Sequence, residues 1–492
     1  MHGTATTIHD LPVEILLIIF HDLYDDARCC VLEPYHGLRN RLSGAYSTRW
    51  SNHTDLRLPA IFPYSLANTC ARWGAILIGV PDYWTRLVWF VDKGRSTPLE
   101  RIKAELEWSG DLPIDVVVIR HDGPLNPGLA FLEGEEWSRA VAEALEIEDP
   151  AYVHDLTKLL VPHLHRCATI WYDVILNSSL PSLHRDFRGV ATHLETFELH
   201  CRIDNAEDEE FDLEIELALQ KKKEEEDESD WAFQCPNLRA LGLNGRNYLH
   251  GVALEAHWIE CIPELRSASI GVFMVIEPDD ERLSHYSCLP SLLEIASTLR
   301  LAALDLDFDP AGCPLTLYFD MDQLTLEDWG GTLLDELENV SMLMPSTMVL
   351  IRCEFGTGLM TDKEFDLVLK DISTAVSLGP ALSEWDGRRL AVERCVGFTD
   401  RVLDSLGSIT ESSSALQGTY NARSLCELSI IDCTTFSIGA LKRMVLRRRE
   451  AVKNPYSCVR MLRVLRLGGD RPHLTEEDVA WFEENVREFT LS

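Results

Sequence analysis

The feature that most constrains this chain is a short apolar signature, LxxLxL, that returns from about residue 150 onward. It reads Leu194/Phe197/Leu199, Leu238/Leu241/Leu243, Leu301/Leu304/Leu306, Leu425/Leu428/Ile430 and Leu462/Leu465/Leu467, with degenerate copies at Leu265/Ala268/Ile270 and around Leu390/Val392. Alternation with a period of two belongs to a strand. The spacings leave room for a returning helix, as in FTDRVLDSLGSI and FSIGALKRMVLRRRE. A unit of one strand and one helix hides its apolar face only by stacking on neighbours, so the pattern predicts an α/β array that grows by repetition. That solves a problem of size, because 492 residues are too many for one compact core. Three copies carry a cysteine three residues after the last apolar position: Leu350/Cys353, Val392/Cys395 and Ile430/Cys433.

The N-terminal region has a different period. In residues 8–23, IHDLPVEILLIIFHDL, Pro12 suits the first helical position, where its missing N–H costs nothing, and Glu14 sits at the positive end of the helix dipole. Ile15 to Phe20 are all apolar, so the helix is greasy on more than one face and needs cover from more than one side. A polar, arginine-containing stretch follows from about 24 to 62. A second helix is expected from about Tyr64 to Ile78, with Leu66, Cys70, Trp73 and Leu77 on one stripe. Pro81 then opens PDYWTRLVWF, whose Trp84 and Leu87 can close a three-helix module.

Composition narrows function. With 80 Asp plus Glu against 45 Lys plus Arg, the formal charge is −35, a field that repels a phosphate backbone and argues against nucleic acid as partner. The N-terminal MHGTATTIHD lacks the basic and apolar regions of a secretory signal, and no stretch approaches the ~20 apolar residues of a membrane span. The expected location is the cytoplasm or nucleus. The 14 cysteines are scattered without any CxxC, so reduced buried thiols are expected rather than zinc or disulfides. The run from Asp204 to Asp230, which includes KKKEEEDESD, is too densely charged to pack and reads as a solvated loop.

Chemistry is sparse. His163 and His165 lie two apart with no third ligand spaced to help. Asp305, Asp307 and Asp309 suggest an EF-hand loop, but position 310 is Pro rather than Gly and position 316 is Thr rather than Glu. No GxGxxG, P-loop, GxSxG or HExxH occurs, so no catalytic residue, metal site or cofactor site is assigned, and a non-enzymatic role is expected. The basic run LKRMVLRRREAVK, with Lys442, Arg443 and Arg447 to Arg449, could serve as a localisation signal or complement the dipole of an outer helix.

Three pieces of the N-terminus in order, Leu11-Pro12, Glu14, Ile15, Ile18 and Phe20, then Leu66, Cys70 and Trp73, then Pro81 and Trp84, resemble an F-box of the divergent kind common in large fungal families. WSGDLPIDVVV, LLVPHLHRCATIWYDV, SLCELSIIDCTTFSIGALKRMV and VRMLRVLRL resemble phrases of the same families. The resemblance implies an F-box at 8–92 with an insertion at about 24–62, a transition segment at 93–150, and a leucine-rich-repeat-like solenoid at 151–492, strands on the concave face and helices on the convex. It further implies docking on the Skp adaptor, and through it cullin, with the repeats recruiting a protein substrate for ubiquitin-dependent degradation. Leu11, Pro12, Glu14, Ile15, Ile18, Phe20, Leu66, Trp73 and Trp84 are the implied adaptor contacts. The alternative is a ligase-independent scaffold that keeps the F-box-like module.

In each LxxLxL strand the residues between the apolar positions should line the open face. These are Glu198 and His200, Ala240, Gly242 and Asn244, Ser267 and Ser269, Asp305 and Asp307, Glu393, Glu427 and Ser429, and Arg466. With Asp305 and Asp307 at its centre the face is acidic, so the expected target is a basic protein or degron.

Overall fold

The computed structural model describes residues 8, 11–28, 62–121, 134–183, 186–203, 205, 233–245, 247–248, 265–271, 298–302, 317–327, 329, 341–354, 365–373, 378, 382, 385–407, 409–410, 419–420, 422–453 and 459–491. The chain divides into two compact units, 1–272 with 280–283, and 273–279 with 284–492. Residues 29–61, most of the acidic run at 204–230, and Leu304, Asp305, Leu306 and Asp307 lie outside the described residues.

The first unit opens with helix α1, Val13–Arg28. The second expected helix is broken in two, α2 at Tyr64–Ala67 and α3 at Ala71–Ile78, because Cys70 turns extended between them. Asn68 and Thr69, both poor helix formers, supply the break. A 3-10 turn, Pro81–Trp84, follows. Leu16, Phe20, Trp73, Leu77, Tyr83 and Trp84 form one buried cluster, with Leu11, Leu66, Cys70 and Trp108 packed against it. Phe20 and Trp73 meet edge to face at 5.3 Å, and the Trp84 indole N–H donates to the Leu77 carbonyl at 2.9 Å. At the first turn of α3 the Arg72 guanidinium donates to the Leu11 carbonyl at 2.7 Å, fastening α3 to the residues just before α1.

Strands begin sooner than the LxxLxL pattern indicates. β1 is Arg86–Phe90, inside the segment read as closing the helical module. The stretch read as a transition, 93–150, carries α4 (Leu99–Trp108), β2 (Ile114–Ile119) and α5 (Gly134–Ile147). Helix α6 (Pro150–Leu160) and strands β3 (Cys167–Asp173), β4 (Thr196–His200), β5 (Ala240–Asn244) and β6 (Ser267–Gly271) follow. Each strand pairs in parallel with the next in sequence. β2 escapes the pattern because it is buried along its whole length and reads as a continuous apolar run after Asp115.

One face of these strands is covered by helices. The Trp89 indole donates to Glu105 of α4 at 3.0 Å, and the Tyr172 hydroxyl meets Thr157 of α6 at 2.9 Å. Arg166, almost fully buried, donates to the Leu106 and Leu112 carbonyls at 2.8 and 3.0 Å, satisfying the carboxyl end of α4. A buried glutamate joins the N-terminal helices to this sheet. Glu105 accepts from Arg101, Trp89 and Tyr64, while Tyr64 in turn accepts the Val88 backbone N–H at 3.1 Å.

In the second unit β7 (Thr298–Ala302), β8 (Leu317–Glu327), β9 (Ser341–Ile351), β10 (Asp366–Lys370) and β11 (Arg389–Glu393) run parallel in sequence order. Helix α7 (Asp400–Leu406) and a small antiparallel pair, β12 (Ile409–Thr410) with β13 (Thr419–Tyr420), precede β14 (Glu427–Ile431). Then come α8 (Ile438–Val452), β15 (Val464–Gly468), α9 (Glu476–Asn485) and β16 (Glu488–Leu491). β14 pairs with β11, and β15 joins β14 to β16, all in parallel. Ser437 caps α8, and Thr475 with Asp478 forms a capping box on α9.

The residue after each of five strands that neighbour one another in the sheet, β9, β10, β11, β14 and β15, adopts positive φ: Arg352, Asp371, Arg394, Asp432 and Gly469. In the first four, its N–H donates to the carbonyl closing the next strand, at Lys370, Glu393, Ile431 and Gly468. Cys353, Cys395 and Cys433 follow directly and are buried. Their sulfurs join the same ladder: Ile372 N–H donates to Cys395 Sγ, and Cys395 N–H to Cys433 Sγ, both at 3.4 Å.

Candidate protein-interaction surfaces

Helix α1 divides its apolar run between two environments. Leu16 and Phe20 are 0% and 1% exposed, seated against Trp73 and Leu77, whereas Ile15 and Ile18 are 43% and 59% exposed. Pro12, Val13 and Glu14 are exposed beside them. Of the nine residues implied as adaptor contacts, Pro12, Glu14, Ile15 and Ile18 therefore share an open surface. Phe20, Trp73 and Trp84 do not, and their assignment as contacts is corrected: each is sealed in the module's own core, because an aromatic ring finds its largest burial gain there. Leu11 and Leu66 are partly buried against that core.

The sheet face away from the helices in the first unit can be followed by register. One row runs Val88, Val117, Trp171, Glu198, Gly242 and Ser269 across β1 to β6. It starts apolar, with Val88 and Val117 packed beside Ile119, Phe90 and Trp171. It then turns polar at Glu198, whose carboxylate pairs with His200 at 2.9 Å. A side chain at Gly242 would press on both partners, so glycine makes the room in which the pair lies. The expectation of a freely exposed face is corrected here, since Glu198 is 8% and Asn244 1% exposed. Asn244 is held by Asn177 and itself receives the Asn247 N–H.

In the second unit the corresponding residues are joined in cross-strand pairs. Arg389 of β11 reaches Asp366 at 3.7 Å and Glu427 at 3.1 Å. Lys370 meets Glu393 at 3.0 Å, and Arg466 meets Glu488 at 3.8 Å. Asp366, Glu393, Glu427 and Glu488 of the second unit thus each face a cation across the strands, while Asp305 and Asp307, on which the acidic expectation rests, lie outside the described residues. Arg394, at positive φ, grips Asp371 with two bonds of 2.8 and 2.9 Å and contacts Glu393 as well, which raises its already high pKa further.

A constellation with no sequence signal lies at the carboxyl ends of β1 and β2. Buried Asp92 accepts the His121 backbone N–H at 2.7 Å and faces its ring Nδ1 at 2.8 Å. The ring stacks on Phe90 at 3.8 Å, and Arg120 stands 3.8 Å from the other Asp92 oxygen. Nearby Glu148 accepts the Ile175 and Leu176 N–H groups, and burial pushes its carboxyl above the ordinary range. Such an aspartate fixes the orientation of an imidazole. The contributors are 29 residues apart, so only the strand pairing brings them together.

The histidine pair of PHLHRC resolves into structural contacts. His163 stands beside Arg166, and burial pushes its pKa down, while His165 Nδ1 lies 3.1 Å from the Pro162 carbonyl. Among the described residues no three His, Cys, Asp or Glu side chains are grouped to hold a metal ion, and no helix is long and apolar enough to cross a membrane. The basic run on α8 is bound within the unit: Lys442 to Asp478, Arg443 and Arg447 to Asp404, Arg449 to Asn485. Arg448 is buried and donates to five carbonyls, of Leu406, Ala422, Arg423, Leu425 and Arg460. Comparison with known protein families, curated proteins and solved structures finds no match to this chain.

Proposed function

We propose that the chain is a non-catalytic substrate-recognition adaptor, an F-box module that binds the Skp adaptor of a Skp-cullin-F-box ubiquitin ligase, followed by a leucine-rich-repeat-like array that captures a protein for ubiquitination. The observation that carries this reading is the split of α1: Leu16 and Phe20 complete the module's own core while Pro12, Glu14, Ile15 and Ile18, all within the F-box-like LPVEILLIIF, stay outside it. An apolar surface on a helix that has already satisfied its own core is the mark of a partner site. Sequence-ordered parallel strands with helices on one side support the repeat half of the reading.

Co-purification of the full chain with the Skp adaptor and cullin is the test. Recovery of both, lost on Ile15→Ala/Ile18→Ala substitution, is the expected result. Recovery of the Skp adaptor without cullin would favour the ligase-independent scaffold, and recovery of neither would remove the F-box reading.

A further inference from the structure

The row across the first unit's sheet face away from the helices, largely buried, has an abrupt chemical step. Trp171 and Glu198 are register neighbours on β3 and β4, about 4.8 Å apart along the hydrogen-bonding direction. The indole is partly exposed, and its flank rests on Val88, Val117 and Ile119. Its ring N–H is buried without an acceptor among the described residues. On the far side, one Glu198 oxygen pairs with His200 and the other takes no hydrogen bond from a described residue. Asp173, the next carboxylate along β3, is already engaged by Arg202 at 2.8 Å. Glu198 is thus the carboxylate on these two strands that no Lys or Arg among the described residues pairs with. Beyond it Gly242 and Ser269 keep the row low.

We propose that this step is the recognition point for a lysine or arginine side chain of the captured protein, with the Trp171 ring against the alkyl stem or guanidinium plane and Glu198 taking the charge. The inference rests on the reading of the chain as a protein-capturing adaptor and names the chemistry that the partly exposed Trp171 and the low-exposure Glu198 select. An aromatic face beside a carboxylate of low exposure suits a cation twice over: the ring quadrupole attracts it, and the low local dielectric strengthens the ion pair. An anionic side chain would meet the Glu198 charge, and a neutral aliphatic one would leave it unanswered. The site moves the expectation of a basic target away from Asp305 and Asp307, outside the described residues, to residues whose neighbours are known.

The test uses the full chain and two capped pentapeptides, Gly-Gly-Arg-Gly-Gly and its citrulline counterpart, which keeps the shape and loses the charge. Binding is followed by broadening of the peptide's own magnetic-resonance signals. The arginine peptide is expected to bind about tenfold more tightly than the citrulline peptide, and that preference to vanish in Glu198→Gln and shrink in Trp171→Leu. Glu488→Gln, on the second unit, should leave it unchanged. Glu198→Gln keeps an oxygen for His200, so its melting should match that of the parent chain. Equal binding of the two peptides, no binding of either at millimolar concentration, or an undiminished preference in Glu198→Gln each overturns the proposal. Co-purification with the Skp adaptor is independent of Glu198. A chain that prefers the arginine peptide yet recovers no adaptor would sink the ligase reading and leave the cation site standing.

Discussion

Ile15 and Ile18 permit a quantitative separation of binding from folding. Their exposures of 43% and 59% amount to about one whole isoleucine left in water. Covering that much apolar surface contributes about 1.5–3 kcal/mol, most of which is lost on truncation to alanine. We predict that Ile15→Ala/Ile18→Ala weakens binding to the purified Skp adaptor by about 1.5–2.5 kcal/mol, or ~10- to 70-fold in Kd, measured by titration calorimetry. Its thermal melting should stay within about 0.5 kcal/mol of the parent chain, as for other surface substitutions. Leu16→Ala, one residue away but fully buried, should instead cost about 2–5 kcal/mol of stability through the cavity it leaves among Phe20, Trp73 and Leu77. If the double variant binds like the parent, the α1 surface is not the docking site. If it melts like Leu16→Ala, the division of the helix into an inner and an outer face is wrong.

Three further outcomes follow from buried polar groups. Burial pushes the Arg448 pKa down to about 10, still high enough to keep it charged, so Arg448→Met should strip five carbonyls of their donor and lower the local stability of β14 and β15 by about 3 kcal/mol. Amide hydrogen exchange there should accelerate ~150-fold, and Arg447→Met, half exposed, should leave it nearly unchanged. Burial holds the Glu105 carboxyl above its ordinary range in the fold, so its ionised form is penalised there and the penalty is relieved as pH falls toward the unfolded value. The melting temperature of the parent relative to Glu105→Gln should accordingly be more favourable at pH 5 than at pH 7, and a gap that does not move with pH would refute this. Burial pushes the Cys395 thiol up to about 12, so iodoacetamide should spare it in the folded chain and modify it only after denaturation, as read by mass spectrometry.

The sequence was most legible where a strand has one covered and one open side. β14 and β15 place Leu428/Ile430 and Leu465/Leu467 inward as their alternation indicates, whereas β4 and β5, whose sequences alternate in the same way, are buried almost throughout. β1 to β3 do not show the pattern because their faces away from the helices also carry apolar residues, Val88, Val117, Ile119 and Trp171, which erases the period of two. The strand predicted around Leu301 lies at Thr298–Ala302, where Leu299 and Leu301 pair with Leu324 and Leu326. The open face was harder still. Whether a carboxylate such as Glu427 stands free depends on Arg389, which is 38 residues away and adjacent only through strand register. The Asp92–His121 pair is hidden for the same reason, since neither residue belongs to a local motif.

The positive-φ turns give the second unit a direction. A non-glycine residue in that conformation is strained, and Arg352, Asp371, Arg394 and Asp432 are each steadied by the closing carbonyl of the strand that follows. The backbone N–H of each step is thus held by its successor, while side chains such as Arg394, on Asp371, reach back to the step before. Among the described residues Gly469 makes no such bond to β16, and it is the one of the five with no side chain to object. Shortening the array from its carboxyl end should therefore loosen the last remaining turn first, unless a glycine is supplied at the new terminus.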